Sequence, residues 1–217
     1  MSTQYLTLVN SVLRRLREEE VSGVTNTTYS KMVGDFVNDA KRQVEDAHEW
    51  SALRTTIVVP TVADTTSYSL TDAGERVKIY SAINDTSNFF MRYETPNWFN
   101  NANYISGVVS GTPDSYTFDG IDSSGDTKIN VFPKPDGVYS LRFDLIAREA
   151  ELSSDADTTK LPSSPIMHLA IAYLTRERGE TGGTSAQDYF SIAESALSDA
   201  IALDAYKNPE EFTYTVA

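Results

Sequence analysis

The chain holds two imidazoles, His48 and His168, each inside an amphipathic helical stretch. Neither stands in an HExxH or HxxxH spacing that would turn two ring nitrogens toward one zinc ion, so a two-histidine metal site requires separate helices to meet. A single helix histidine is ordinarily structural. Ser and Asp are so numerous that a Ser/His/Asp triad can be drawn at will, and the GxSxG elbow that would mark a nucleophile is absent. There is no cysteine, which removes thiolate catalysis, thiolate zinc sites and disulfide frameworks together and fits assembly in a reducing compartment.

Three loops imitate ligand sites. Gly179-Glu180-Thr181-Gly182-Gly183-Thr184-Ser185 precedes a helix but lacks the Lys of a Walker motif and an upstream buried strand, which leaves an inter-helix turn with Thr184 or Ser185 as N-cap. Asp155, Asp157 and Thr159 alternate like calcium ligands, yet Lys160 stands where that loop needs Gly and Ile166 where it needs Glu, so a solvated turn is expected. In Asp122 to Asp126 the carboxylates suit a turn, because Asp hydrogen-bonds nearby backbone amides. The expectation is a protein with no catalytic residues, no metal and no cofactor.

Aromatic side chains offer a different chemistry. Phe89, Phe90, Trp98, Phe99 and Tyr104 cluster in an Asn-rich context, where they either fill the core or reach a neighbouring subunit or a sugar ring. With 31 acidic and 18 basic residues the formal charge is −13, so the averaged surface repels nucleic-acid phosphates. The N-terminus meets acidic residues too soon for a secretory signal, and no apolar run approaches the ~20 residues of a membrane span, so a soluble intracellular protein is expected.

The elements that position these residues follow from periodicity. Tyr5, Leu8, Val9, Val12, Leu13 and Leu16 form one stripe of a first helix, capped by Ser2 or Thr3 and ended before Gly23, which offers a left-handed position. The Thr25 to Thr28 run caps a second helix with the stripe Tyr29, Met32, Val33, Phe36, Val37, Ala40, Val44, Ala47 and Trp50; Asp35, Asp39, Arg42, Glu45, Asp46 and Glu49 face elsewhere. Thr55 to Val59, Arg76 to Ile83 and Phe89 to Tyr93 read as strands, with a helical or irregular piece around Pro96 to Tyr104. In Val138 to Ile146, Tyr139, Leu141, Phe143 and Leu145 alternate with polar residues, predicting a half-buried strand paired with Lys128–Phe132 across a Pro133 to Gly137 turn. A second hairpin joins Tyr116–Phe118 to Ile129–Val131 through Asp122 to Asp126.

After Leu161-Pro162 the helical period returns, with Ile166, Leu169, Ala170, Tyr173 and Leu174 on one stripe and Ala186 to Leu203 marking a fourth helix. Pro209 breaks it, and Phe212, Tyr214 and Val216 alternate with Thr213 and Thr215 in a tail that reads as extended. The expected fold is α+β: a four-helix bundle from both chain ends (1–53 and 162–206), an inserted antiparallel β domain (54–161) and an extended C-terminal tail (207–217).

Ser110-Gly111-Thr112-Pro113-Asp114-Ser115-Tyr116, then Ile129-Asn130-Val131-Phe132-Pro133-Lys134-Pro135-Asp136-Gly137-Val138-Tyr139-Ser140-Leu141, then Leu152 and Leu161-Pro162 before a helix, resembles the head-to-tail adaptor family of tailed bacteriophages. Two N-terminal helices ending at Trp50 and followed by a Thr/Val strand agree, and the resemblance spans nearly the whole chain. It implies a structural virion protein at the head-tail junction, assembled in the host cytoplasm. It further implies a ring, usually of twelve copies, that sits beneath the portal protein, meets a tail or nozzle protein and passes genomic duplex DNA without reading it. The tail residues Phe212, Tyr214 and Val216 then become candidates for portal binding, and Phe89, Phe90, Trp98, Phe99 and Tyr104 candidates for the subunit interface. Two other classes stay open on the residues alone: a carbohydrate- or receptor-binding β module using the Tyr/Trp-rich loops, and a hydrolase using paired carboxylates in a pocket.

Overall fold

The computed structural model describes residues 2–178 and 184–207, the side chains of 184–186 excepted. Along the chain run β1 (Thr3–Gln4), α1 (Tyr5–Arg15), α2 (Thr28–Ala47), β2 (Arg54–Pro60), β3 (Ser67–Ser69), β4 (Val77–Asn84), β5 (Phe89–Phe90), β6 (Arg92–Tyr93) and α3 (Pro96–Asn100). There follow β7 (Ser110–Gly111), β8 (Ser115–Ile121), β9 (Thr127–Phe132), β10 (Lys134–Pro135), β11 (Ser140–Ala147), β12 (Thr158–Thr159), α4 (Ser163–Glu177) and α5 (Thr184–Ala205). The class is α+β. The chain divides into two compact units, one of Met1–Leu53 with Glu149–Ala217 and one of Arg54–Arg148.

In the helical unit α4 is central: it packs against α1, α2 and α5. That is why it is buried beyond one stripe, with Ile171, Ala172 and Thr175 inside as well as Ile166, Leu169, Ala170 and Leu174. The stripe of α1 is buried from Tyr5 to Leu13, but its N-terminal cap and its left-handed closing residue differ from the reading of the sequence. No side chain caps the start; Thr3 and Gln4 pair with Thr159 and Thr158, and the Tyr5 amide donates to the Asp157 carbonyl at 2.8 Å. The end lies at Arg15, before Gly23. Arg17 takes the left-handed conformation at φ 61, its amide bonds the Arg14 carbonyl, and Glu18 N–H reaches the Leu13 carbonyl at 3.0 Å, the paired closure of a Schellman end.

Thr27 caps α2 in a reciprocal box with Ser30. The buried face of α2 is rotated from the apolar stripe: Val33, Val37, Ala40 and Val44 are inside, but so are Gly34, Lys41 and Glu45, while Ala47 is exposed. The segment after the β region covers those polar positions. Asn38 exchanges two bonds with the Leu152 backbone at 2.9 and 3.1 Å, and Glu45 accepts the Glu149 amide at 2.7 Å. Residues 149–161 therefore belong with the helices, although their composition resembles the β region.

The β unit has two four-stranded sheets in the orders β2-β11-β4-β5 and β3-β9-β8-β6. Val59, Ala82, Leu141, Phe143 and Leu145 from the first and Tyr116, Ile129 and Val131 from the second enclose one core, with the Tyr116 and Phe143 rings edge to face at 5.6 Å. The β8–β9 hairpin has the expected register, Tyr116 opposite Val131 and Phe118 opposite Ile129. The other expected hairpin does not form: β11 pairs with β2 and β4, and β9 with β3 and β8. Pro133 and Pro135 carry no amide donors, so the 133–137 stretch crosses between sheets and pairs only briefly, Lys134–Pro135 running parallel to Ser110–Gly111. The Phe89 to Tyr93 strand likewise splits, β5 joining one sheet and β6 the other, with buried Met91 at the crossing.

Candidate functional site

The nearest approach to a catalytic constellation lies in the helical unit. Ser51, in the turn after α2, donates its hydroxyl to Asp204 Oδ1 at 2.6 Å and its amide to Oδ2 at 2.8 Å. His48 Nε2 lies 3.3 Å from the same Oδ2, an ion pair only when the imidazole is protonated, and its ring stands edge-on to Trp50 at 5.0 Å. A charge-relay triad places the histidine between serine and carboxylate; here the carboxylate takes the middle and accepts the Ser51 hydroxyl itself, so the imidazole does not stand as its base. Asp204 is a clasp. Burial pushes its carboxyl up, but the Ser51 hydroxyl and amide, with Lys207 and His48, outweigh it and hold the group below the usual carboxylate range. His168 sits elsewhere on α4, its pKa lowered by burial and by Arg15.

The acidic loops are internal scaffolding. Asp155 Oδ1 accepts the Val24 amide at 2.9 Å, and Asp157 Oδ2 accepts the amides of Ser153 and Ser154 at 2.8 and 2.7 Å, which hold its carboxyl below the ordinary value. Asp122 is likewise lowered, first by the Ser69 hydroxyl and then by the Asp126 amide. Buried Lys41 donates to the carbonyls of Glu149 and Ala150 at 3.3 and 3.0 Å and lies 3.7 Å from the Glu149 carboxylate, which also accepts from Thr159 and Lys160. Among the described residues no group of three or more His, Cys, Asp or Glu is placed to hold a metal ion.

Exposed apolar surface is concentrated on the β unit. Of the five aromatic candidates, Phe99 is 4% exposed and belongs to the interior, because α3 turns it inward, and Phe89 packs half-buried on the core. Phe90, Tyr104 and Trp98 point outward at 74%, 79% and 38% exposure, Trp98 resting edge-on against Phe132. Ile105, Val108 and Val109 follow Tyr104 and are also exposed, aliphatic residues that carry no helix or strand period to announce them. Three loops meet beside them, tied by Lys134 N–H to the Val109 carbonyl, Asp64 N–H to the Pro135 carbonyl and the Thr61 hydroxyl to the Gly137 carbonyl, each at 2.9 Å. They leave Val62 and Val138 exposed on the same loop cluster. Valine next to glycine, in Gly107-Val108-Val109 and in Gly137-Val138, was the available signal. The tail candidates Phe212, Tyr214 and Val216, and the Gly179 to Gly183 turn, lie outside the described residues.

The carboxylates of these clusters accept from backbone amides and neighbouring side chains, while Phe90, Trp98, Tyr104 and several valines face outward. A family profile described as SU10 adaptor protein matches residues 3–211, and the chain belongs to that family, a phage adaptor family whose members are virion components. No curated protein matches the chain. Among the described residues no helix is long and apolar enough to cross a membrane.

Proposed function

We propose that the chain is a head-to-tail adaptor subunit: copies of it form a ring, of twelve, beneath the portal, continue the DNA channel and join the capsid to a tail or nozzle protein. The observation that carries this reading is the family match across residues 3–211. In this reading the two chain ends form a four-helix bundle that carries the β unit of residues 54–148 as an insertion, assembly takes place in the host cytoplasm, and the chemistry is adhesion without catalysis or cofactor. Phe90, Trp98 and Tyr104 present large contact areas of the kind enriched at interface cores, with half-buried Phe89 and buried Phe99 as the remaining candidates. Phe212, Tyr214 and Val216 engage the portal by strand addition or pocket insertion.

Electron microscopy of the purified chain, alone and mixed with portal, tests the proposal. Rings coaxial with the portal are expected, and a chain lacking 209–217 is expected to form rings but fail to bind the portal. A protein that stays monomeric at every concentration and ignores the portal overturns the reading.

A further inference from the structure

Strand β2 stands at one edge of its sheet, with β11 on one side and, among the described residues, no strand on the other. Backbone groups alternate in direction along such a pair. Thr61 N–H donates to the Tyr139 carbonyl at 2.8 Å and Asp85 N–H to the Ser140 carbonyl at 2.9 Å, so Leu141 and Phe143 of β11 bond β2 while Ser140 and Arg142 bond β4. The N–H and C=O groups of Thr56 and Val58 therefore point outward, and no described residue accepts their amides. Sheets ordinarily guard an open edge with a short strand, a bulge, lysine or proline. Here the strand is seven residues long, its pairing with β11 has no register shift, and Thr55-Thr56-Ile57-Val58-Val59 is an unbroken β-branched run. Val58 is 52% exposed.

The edge is complementary to itself. When two β2 strands run antiparallel about Ile57, Thr56 of each stands opposite Val58 of the other, and each such pair exchanges both of its backbone hydrogen bonds. Pro60, which has no amide to give, falls opposite Arg54 at the ends, and no like charges meet across the seam. Charge permits the approach as well: residues 54–148 hold 8 basic and 11 acidic residues, a net of −3 out of −13, so two copies repel least through this unit.

We infer that free copies of this chain pair two-fold through β2, joining their β2-β11-β4-β5 sheets into one continuous sheet. A two-fold contact closes on itself, so it cannot link neighbours within a cyclic ring; it belongs to the chain before assembly, where it covers an edge that otherwise recruits strands indiscriminately. The inference goes beyond the adaptor reading and does not rest on it.

Single cysteines in the full-length chain report the register, because the protein has none of its own. In this pairing the two residues at 57 oppose each other with about 4.5 Å between Cα atoms, within disulfide reach, whereas the two at 55 lie four positions apart along the seam, about 14 Å at the strand rise. Ile57→Cys is expected to oxidise to a linked dimer at least ten-fold faster than Thr55→Cys. Sedimentation of the parent chain should show a reversible species of twice the mass of one chain. Val58→Glu should weaken that association at least ten-fold, because its carboxylate faces Arg142 in its own sheet but meets the Thr56–Asp144 pair of the other copy across the seam. Equal oxidation rates, a parent chain without the dimer, or a Val58→Glu chain that dimerises unchanged overturn the inference. Microscopy with portal reads ring formation separately, and no two-fold relates neighbours in a cyclic ring, so failure of the pairing and failure of the adaptor reading are distinguishable.

Discussion

Gly34 stands on the buried face of α2, and a Cβ there would strike the Tyr5 hydroxyl while lying 2.9 Å from Val24 Cγ1. Glycine inside a helix ordinarily costs stability relative to alanine, so here the close approach outweighs propensity. Gly34→Ala should lower stability by roughly 1–3 kcal/mol, the usual range for overpacking. Adding Tyr5→Phe should recover part of the loss, a coupling that urea titration of both single variants and the double variant would measure. Tyr5 also sets an alkaline limit. Burial first, then Asp35, Asp155 and Glu151, push its hydroxyl up to about 12 from 10.0. A group whose folded pKa is raised contributes stability that is whole below the unfolded value and lost as pH climbs through the folded one. Stability should therefore decline between about pH 10 and about pH 12, and less steeply in Tyr5→Phe, as thermal melts across that range would record. None of this was legible beforehand: the sequence marks Tyr5 as one apolar stripe residue and gives no sign that its hydroxyl meets Gly34.

At the scale of elements, Asp204 fastens the last turn of α5 to the turn that follows α2, through the Ser51 hydroxyl and amide. Asp204→Ala leaves that amide without its partner and should cost about 1–3 kcal/mol. Because the carboxyl is held below its ordinary value, its contribution is present above the unfolded carboxylate pKa of ~3.9 and fades as pH falls through the folded one. Acid titration should show a shallower loss in Asp204→Ala than in the parent chain; identical acid limbs would contradict the clasp. The elements themselves were mostly readable. The β8–β9 hairpin announces itself because Asp122 and Gly125 build the turn locally, Gly125 at φ 89 and Asp122 accepting the amides of Ser124 and Asp126. Strand β11 announces its alternation but not its partners, since β2 lies some 80 residues upstream in a register where Leu141 faces Val59. Lys41, Glu45 and Asn38 look like a solvated helix face until residues 149–152 are laid over them. Periodicity counts polarity, and a backbone segment that needs hydrogen bonds can bury it.

For the whole molecule, charge is unevenly divided. Residues 54–148 contain 8 basic and 11 acidic residues, a net of −3, so of the total of −13 the remainder, −10, falls on the chain ends that build the helical unit. A surface of that sign disfavours phosphates, and the adaptor reading assigns it to a passage where DNA moves without adhering. Duplex DNA should bind weakly or undetectably at physiological salt in fluorescence anisotropy. Tight, salt-sensitive binding would remove the repulsive-lumen argument. The family was legible in the order and spacing of turns and strands across the chain. Which aromatics face outward was not, because Phe89 and Phe90, or Trp98 and Phe99, are adjacent residues whose fates are decided by a pleat and by one short helix.

The β unit starts with Arg54 and finishes just after Ile146, and these two residues sit directly opposite each other on neighbouring antiparallel strands. Cross-strand neighbours are only about 5 Å apart, so from the side of the helices the 95 residues from 54 to 148 amount to a closed bight whose two legs are already pinched together. The entropy of bringing those legs together is met within the sheet and asks nothing of the helical packing. Such a stretch can lengthen, shrink or be replaced by a short connector while the scaffold that carries it keeps its own geometry.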